Sequence, residues 1–176
     1  MTSPTFLRRA ARTAVAVAAL FAASAGTAAA QTVDPKWLTV NASAKMAILA
    51  LTGSGTPTNA GYNLNGFSDG KLTLTVPTGW KMVFYFHNKH ERLSHHVGVS
   101  AGTAVPEASF PAAFKGAETG SPGFLVIPNG RIPVKFTADR AGEYLIACMF
   151  PGHAKGGMYV KLVVADGAAV PTLASN

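Results

Sequence analysis

The sequence predicts an all-β sandwich of about seven to nine strands. Short runs rich in Val, Leu, Ile, Phe and Thr alternate between apolar and polar residues with a period near two, which is the period of a strand with one buried face. Gly, Pro, Asn and Ser separate these runs, and the 18 Gly and 11 Pro indicate frequent turns. Several short strands at such spacing are typical of two packed sheets.

The first 30 residues have the organisation of a secretory signal peptide. The segment carries three arginines near its start (Arg8, Arg9 and Arg12), continues with an apolar centre at residues 14–21 and ends in Ala28-Ala29-Ala30, a small-residue cleavage site. We therefore expect residues 31–176 to form a single domain in the periplasm or another extracytoplasmic compartment. The apolar centre is shorter than the roughly 18 residues of a membrane-spanning helix. No membrane span is expected after cleavage, whereas a retained leader would leave the protein membrane-associated.

The strands are expected in the apolar runs of the mature chain, with two longer loops between them. Residues 52–70 are rich in Gly, Asn, Ser and Thr and are predicted to form a surface loop, and residues 106–122 form a second one. In chain order, the predicted strands are residues 37–41, 45–51, 71–76, 80–86, 95–99, 124–127, 132–137, 142–147 and 158–164.

Composition and charge exclude several classes of protein. The chain is 48% hydrophobic and 13% charged, which is typical of a compact domain and not of a disordered one. Its formal net charge is +7, but the predicted leader contributes three basic residues, so the mature chain carries about +4. No cluster of Lys and Arg resembles a surface that follows a phosphate backbone. We therefore expect no nucleic-acid partner.

The segment most informative about chemistry is Cys148-Met149-Phe150-Pro151-Gly152-His153-Ala154-Lys155-Gly156-Gly157-Met158. It has Cys-x4-His-x4-Met spacing and connects two predicted strands. A tight loop there can turn a thiolate, an imidazole and a thioether toward one point, and such soft and borderline donors favour copper. Two His and one Cys with a weak axial Met form the blue-copper arrangement, so a second His is needed.

The second His is expected in the predicted strand that begins with His95-His96-Val97. Adjacent side chains of a strand face opposite ways, so only one of the two imidazoles can bind the metal directly. The residues themselves leave open which of the two it is.

The chain resembles the cupredoxin family, and within it most closely the sulfocyanins, with rusticyanin a more distant likeness. Besides the Cys148 loop, the resemblance rests on Asn63-Leu64-Asn65-Gly66-Phe67 and on Val76-Pro77-Thr78-Gly79-Trp80. It implies a Greek-key sandwich and one copper, cycling between Cu(II) and Cu(I), with four ligands: His95, Cys148, His153 and Met158. It also implies that electrons pass through His153, at a surface to which Phe150, Pro151 and Ala154 contribute.

One position departs from the family pattern. His96 stands where relatives carry an Asn or Ser whose side chain bonds to the loop that carries the Cys. This cross-link is therefore in question here, and His96 is the alternative ligand. His87 and His90, in a charged run, are interpreted as solvated surface residues and not as a second metal site.

Other interpretations of the individual residues are possible, as core residues or as ligands of another metal. A single Cys is often a buried small hydrophobe, and a Met at the start of a strand usually belongs to the core. Zinc also accepts Cys and His, although a thioether gives no reason to choose it. The spacing of Cys148, His153 and Met158 favours copper over these alternatives.

The donor set predicts electron transfer. Three strong donors and a weak fourth leave no open position for a substrate, unlike a catalytic metal centre. We expect a monomeric shuttle, not an enzyme, that meets cytochromes or a terminal oxidase in transient encounters. The alternative is a copper carrier or chaperone in the extracytoplasmic space. A multicopper oxidase is disfavoured because the chain contains no His-x-His motif.

Overall fold

The computed structural model describes Met1 and residues 33–120 and 125–176. Residues 2–32, and with them nearly all of the predicted signal peptide, lie outside the described residues. The described chain forms nine strands and two short 3-10 helices, Pro35–Trp37 and Thr58–Gly61. The strands are β1 (Leu38–Asn41), β2 (Met46–Gly53), β3 (Leu72–Pro77), β4 (Trp80–Asn88), β5 (Val97–Ala101), β6 (Arg131–Ala138), β7 (Gly142–Cys148), β8 (Tyr159–Ala165) and β9 (Thr172–Ser175).

The strands form two sheets. One sheet has the order β1-β2-β4-β6 and the other has the order β5-β7-β8-β3-β9. The pairs β2–β4 and β3–β8 are parallel, and all other pairs of neighbouring strands are antiparallel. The predicted all-β sandwich of seven to nine strands is therefore confirmed. In the described part of the chain, no helix is long and apolar enough to cross a membrane.

Alternating burial along the strands builds the core between the sheets. In β4, every second residue from Trp80 to Asn88 is buried, while the residues between them are less buried or exposed. Phe84 packs edge-to-face on Phe136 of β6, with ring centroids 5.2 Å apart. Burying each such aromatic side chain contributes about 1.5–3 kcal/mol. The period-two pattern of the sequence thus corresponds to one face of each sheet turned inward.

The structure differs from the prediction in two strands. The strand expected at 124–127 is reduced, among its described residues, to a single bridge between Val126 and His95. Its neighbours Leu125 and Ile127 are exposed, and a turn at 128–130 follows at once, so the run is too short to pair further. Strand β9 was not predicted, since its alternately exposed and half-buried residues give no apolar run; it pairs with β3.

Candidate metal centre

The structure brings His95, Cys148 and His153 together at one end of the sandwich. Nδ1 of His95 lies 3.6 Å from Sγ of Cys148 and 3.2 Å from Nδ1 of His153. Nδ1 of His153 lies 3.5 Å from the same sulfur. All three side chains are buried, and they form the one group of three or more His, Cys, Asp or Glu of metal-binding geometry in the described residues.

The register between β5 and β7 explains why His95 and not His96 joins this group. Val97 pairs with Cys148, and both side chains face the core. His95 precedes Val97 by two positions and therefore extends the same face, whereas the side chain of His96 lies on the opposite face. The alternation that the sequence predicted thus selects one imidazole of the pair for the cluster.

The loop after Cys148 is held by its own backbone. The N–H of His153 donates to the carbonyl of Phe150 at 3.1 Å, and the N–H of Met158 donates to the carbonyl of His153 at 3.0 Å. Gly157 has a φ of +99°, and a Cβ there would lie 2.6 Å from Nδ2 of Asn59, so the loop needs glycine at this point. The result is a tight turn that brings His153 back beside Cys148.

Met158 lies immediately before β8 and is fully buried. Its carbonyl accepts the N–H of Cys148 at 3.0 Å, which ties it to the end of β7. A Cβ added to Gly53 would lie 3.1 Å from the Met158 methyl group and 3.0 Å from the ring of Phe86. Glycine at position 53 therefore leaves the room that the end of the Met158 side chain occupies.

Ser54 is a residue of this site that the sequence analysis did not find. Its Oγ lies 3.2 Å from Nε2 of His95 and donates its own proton to the carbonyl of Gly61 at 2.6 Å. The hydroxyl therefore accepts the Nε2 proton of His95, which leaves Nδ1 with a free lone pair facing Cys148. Such a contact fixes the tautomer and the orientation of a metal-binding imidazole.

The loop that carries Ser54 is ordered by two asparagines of the Asn63-Leu64-Asn65-Gly66-Phe67 motif. The side chain of Asn65 accepts the N–H of Thr52 at 2.6 Å and donates to the carbonyl of Ala50 at 2.9 Å. The side chain of Asn63 donates to the carbonyls of Thr56 and Thr58, at 3.0 and 2.7 Å. This motif thus supports the metal site by positioning Ser54.

The side chain of His96 faces Glu118 and not the Cys148 loop. Its Nε2 lies 3.3 Å from Oε2 of Glu118, at angles outside those of a good hydrogen bond. The link from this segment to the loop is made by main-chain atoms instead, because the N–H of Met149 donates to the carbonyl of His96 at 2.5 Å. The side-chain cross-link that the family resemblance placed in question is therefore replaced by a backbone bond.

Burial controls the protonation of the three clustered groups. It lowers the pKa of His95 to about 3, with His153 and His90 acting in the same direction. Burial likewise lowers the pKa of His153, and His90 adds to this effect. Burial raises the pKa of the Cys148 thiol to about 11, although the backbone N–H groups of Phe150 and His96 favour the thiolate. Both imidazoles are therefore neutral bases at ordinary pH, as metal ligands must be.

The donor atoms fit a first-row metal ion by distance and by chemistry. The point equidistant from the three atoms lies about 2 Å from each, close to the roughly 2.0–2.3 Å at which imidazole nitrogen and thiolate sulfur bind such ions. One thiolate and two imidazoles with a buried thioether nearby is a donor set that selects copper. The residues present thus fit the copper that the sequence predicted.

His90 was interpreted as a solvated surface residue, and the structure shows it only partly exposed, in the wall of a surface cleft. The side chain is half-buried, and its ring contacts that of His95 with the centroids 5.7 Å apart. The charged neighbours suggested exposure, but the loop folds the ring back toward the cluster. Neither His90 nor His87 belongs to a second group of metal-binding side chains in the described residues.

The two-sheet sandwich and the buried His, Cys and His beside a Met define a cupredoxin, a protein that holds one copper ion. The sulfocyanin (SoxE) domain matches residues 34–116 and 132–174. The chain belongs to the sulfocyanin family.

The chain is also similar to individual proteins. Sulfocyanin of Sulfolobus acidocaldarius is 26% identical over 125 residues, which cover 62% of this chain and 59% of that protein. A rusticyanin structure superposes with a TM-score of 0.53 at 24% identity, covering 76% of this chain and 85% of rusticyanin. Auracyanin B gives a TM-score of 0.50 at 19% identity, over 73% of this chain and 94% of its own. These two structures share the fold.

Proposed function

We propose that this protein is an exported blue copper protein that shuttles single electrons between redox partners. The proposed ligands of its one copper are His95, Cys148, His153 and Met158. Bound copper supplies a one-electron couple between Cu(II) and Cu(I). The observation that carries the proposal is the triangle of donor atoms, whose edges measure 3.2–3.6 Å and whose three side chains are all buried.

The chain's own residues hold the donor geometry constant. Ser54 orients His95, and the backbone hydrogen bonds of the loop orient His153 and Met158. The backbone N–H groups of Phe150 and His96 stabilise negative charge on the sulfur of Cys148. A site with so many fixed contacts reorganises little when one electron is added or removed, which favours fast transfer.

Exposed apolar side chains at this end of the sandwich favour a protein partner. Leu93 lies two residues before His95, Leu125 and Ile127 flank the residue that pairs with it, and all three are exposed. Phe150 is 37% exposed, and its ring centroid lies 4.5 Å from that of His153. We propose that transient partners such as cytochromes or a terminal oxidase dock here, outside the cytoplasm, on a monomer.

One expected member of this surface lies elsewhere. Ala154 is only 1% exposed and packs with Leu145 and Ala147 on the opposite face of their sheet. There the side chain of Ala154 is covered by Val105 and Phe110. The proposed exit surface therefore includes Phe150 and Pro151 but not Ala154.

The deciding experiment is the visible absorption and electron paramagnetic resonance spectrum of the protein loaded with Cu(II). An intense thiolate-to-copper band that bleaches on reduction and returns on oxidation is expected, because the Cys148 thiolate would be one of the copper ligands. A colourless protein that takes up zinc instead would overturn the proposal. Rapid loss of copper to a chelator would favour a copper carrier, whereas the buried donors predict slow release.

A further inference from the structure

A cleft of about 530 Å³ lies beside His95, between residues 54–61 and residues 89–92. Two residues of its wall contact this predicted copper ligand. Ser54 reaches Nε2 of His95 at 3.2 Å, and the ring of His90 packs on the ring of His95. An occupant of the cleft would therefore be separated from the imidazole of His95 by a single residue.

The cleft carries positive charge. Lys89 and Arg92 line it and are exposed, and neither forms an ion pair with a carboxylate among the residues that the structure describes. Arg131 also contributes positive charge nearby. Burial is the main cause of the lowered pKa of His87, and the charges of Arg131 and Lys89 lower it further. Glu91 is the one acidic residue of the lining. The unpaired cations favour an anionic occupant.

His90 forms a fixed wall between the cleft and His95. Its Nδ1 accepts the N–H groups of Arg92 and Leu93, at 3.1 and 2.9 Å. These two bonds hold the ring against the loop that it belongs to and leave the proton of the neutral imidazole on Nε2. The route from the cleft to His95 is thus short and rigid.

We propose that this cleft is a second docking site, one that takes a small multivalent anion able to exchange one electron with the copper on the His95 side. Such a reactant is represented by hexacyanoferrate: one electron leaves Fe(II) and reduces Cu(II), which gives Fe(III) and Cu(I) without making or breaking a bond to the protein. The exchange role rests on the proposed function, whereas binding of the anion does not.

Binding is tested with hexacyanochromate(III), a paramagnetic anion of the same shape that does not exchange electrons under these conditions, added to the isotope-labelled copper(I) protein. Amide signals of residues 54–61 and 89–92 broaden first. The Lys89→Glu/Arg92→Glu variant loses this broadening, while Lys81→Glu/Lys135→Glu, with the same change of charge on the outer face of β4 and β6, keeps it. The proposed site would be wrong if the amide signals around Phe150 broadened first, or if both variants lost the broadening equally.

Exchange is tested by stopped-flow oxidation of the copper(I) protein with hexacyanoferrate(III) and with the cation tris(phenanthroline)cobalt(III). Lys89→Glu/Arg92→Glu slows the reaction with the anion about tenfold and does not slow the reaction with the cation. An equal slowing in Lys81→Glu/Lys135→Glu would show that only net charge matters and would overturn the electron role. If the unsubstituted protein reacts with neither complex, the proposed function itself fails, while the line broadening still decides whether the anion binds.

Discussion

The hydroxyl of Ser54 lies 3.2 Å from Nε2 of His95, although the two residues adjoin strands of opposite sheets of the sandwich. Ser54 directly follows β2, whereas His95 precedes β5. Because Ser54 donates to the carbonyl of Gly61, it accepts the imidazole proton and turns Nδ1 toward Cys148. The tautomer of a predicted copper ligand is therefore set by a residue from the other layer of the fold.

Ser54→Ala is expected to weaken copper binding about 10–100-fold, which is the usual effect of losing such an outer hydrogen bond. Serine and alanine both have a Cβ, so the substitution does not change the strain of the positive φ at position 54. Competition with a copper chelator measures the affinity. Thr56→Ala is the matched control, since Thr56 lies in the same loop and bonds only to Thr58 and Asn63. Equal affinities in the two variants would show that the hydroxyl does not support His95.

Substitution of each adjacent histidine separates their roles. His95→Ala is expected to abolish the intense visible band, because it removes one corner of the donor triangle. His96→Ala keeps the band but lowers the free energy of unfolding by about 1–3 kcal/mol, since truncating this buried side chain removes its packing beside Glu118. Visible absorption and denaturant unfolding of both variants provide the comparison. A coloured His95→Ala protein would contradict the assignment.

The stability of the copper-free protein is expected to fall in acid. The pKa of His95 is lowered from 6.5 to about 3 by burial, so between these values the unfolded chain binds a proton that the folded chain does not. The free energy of unfolding then falls with decreasing pH, on the order of 1 kcal/mol per pH unit for one such group. Burial of His153 and His96 acts in the same direction.

At alkaline pH the free energy of unfolding is expected to fall as the pH rises, the opposite of its change in acid. The folded state keeps the Cys148 proton to a pKa of about 11, above the ordinary value of 9.0, so stability declines as the pH rises between these values. Denaturant unfolding from about pH 4 to pH 10 therefore gives a maximum near neutral to mildly alkaline pH. His95→Phe should reduce the fall of the free energy of unfolding at acid pH. If this free energy does not fall at acid pH in the unsubstituted protein, the account is contradicted.

Gly53→Ala is expected to disturb the site through Met158. The added methyl group would meet the ring of Phe86 at 3.0 Å and the Met158 methyl at 3.1 Å, and such overpacking costs about 1–3 kcal/mol. The electron paramagnetic resonance spectrum of the Cu(II) protein should change along with the stability, because the thioether is displaced. Gly167→Ala, where a Cβ meets nothing within 4 Å, is the control. An unchanged spectrum in a destabilised Gly53→Ala protein would remove Met158 from the copper.

Phe150→Glu is expected to slow electron exchange with a protein partner such as a cytochrome by about tenfold or more, because it places a charge on the apolar surface over His153. Stopped-flow kinetics measure the rate. Tyr85→Glu is matched to it, since Tyr85 is an exposed aromatic residue on the outer face of β4, away from the donor cluster. Similar rates in the two variants would place the docking surface elsewhere.

The fold was predictable wherever a strand has one buried face. The alternation of β4 is visible in its letters and corresponds to the alternation of burial that the structure shows. Strands were not predictable where pairing depends on a partner and not on burial. Thr172–Ser175 becomes a strand only because β3 presents a free edge to it, and 124–127 contains apolar residues that stay exposed.

The site was predictable in its donors but not in its supports. Cys148, His153 and Met158 are close in the sequence, so their spacing appears there as a motif. The side chain of His95 lies on the same face as Val97 because side chains alternate along a strand. Ser54 carries no such signal, because a serine in a polar loop has no pattern and its role arises from a contact 41 residues along the chain. His90 was singled out in the sequence, but its charged neighbours did not indicate that its ring packs on His95.

The contact between Ser54 and His95 also bears on how the metal leaves. Cys148, His153 and Met158 lie on or beside β7 and β8, in one layer, and Ser54 extends from the other. We expect a local parting of the layers at this end to break the serine contact and to uncover the donors, at a free-energy cost below that of global unfolding. An ion that binds the closed state stabilises it, so copper would make such opening rarer. We therefore expect the lifetime of the bound metal to depend on how often this end of the sandwich opens.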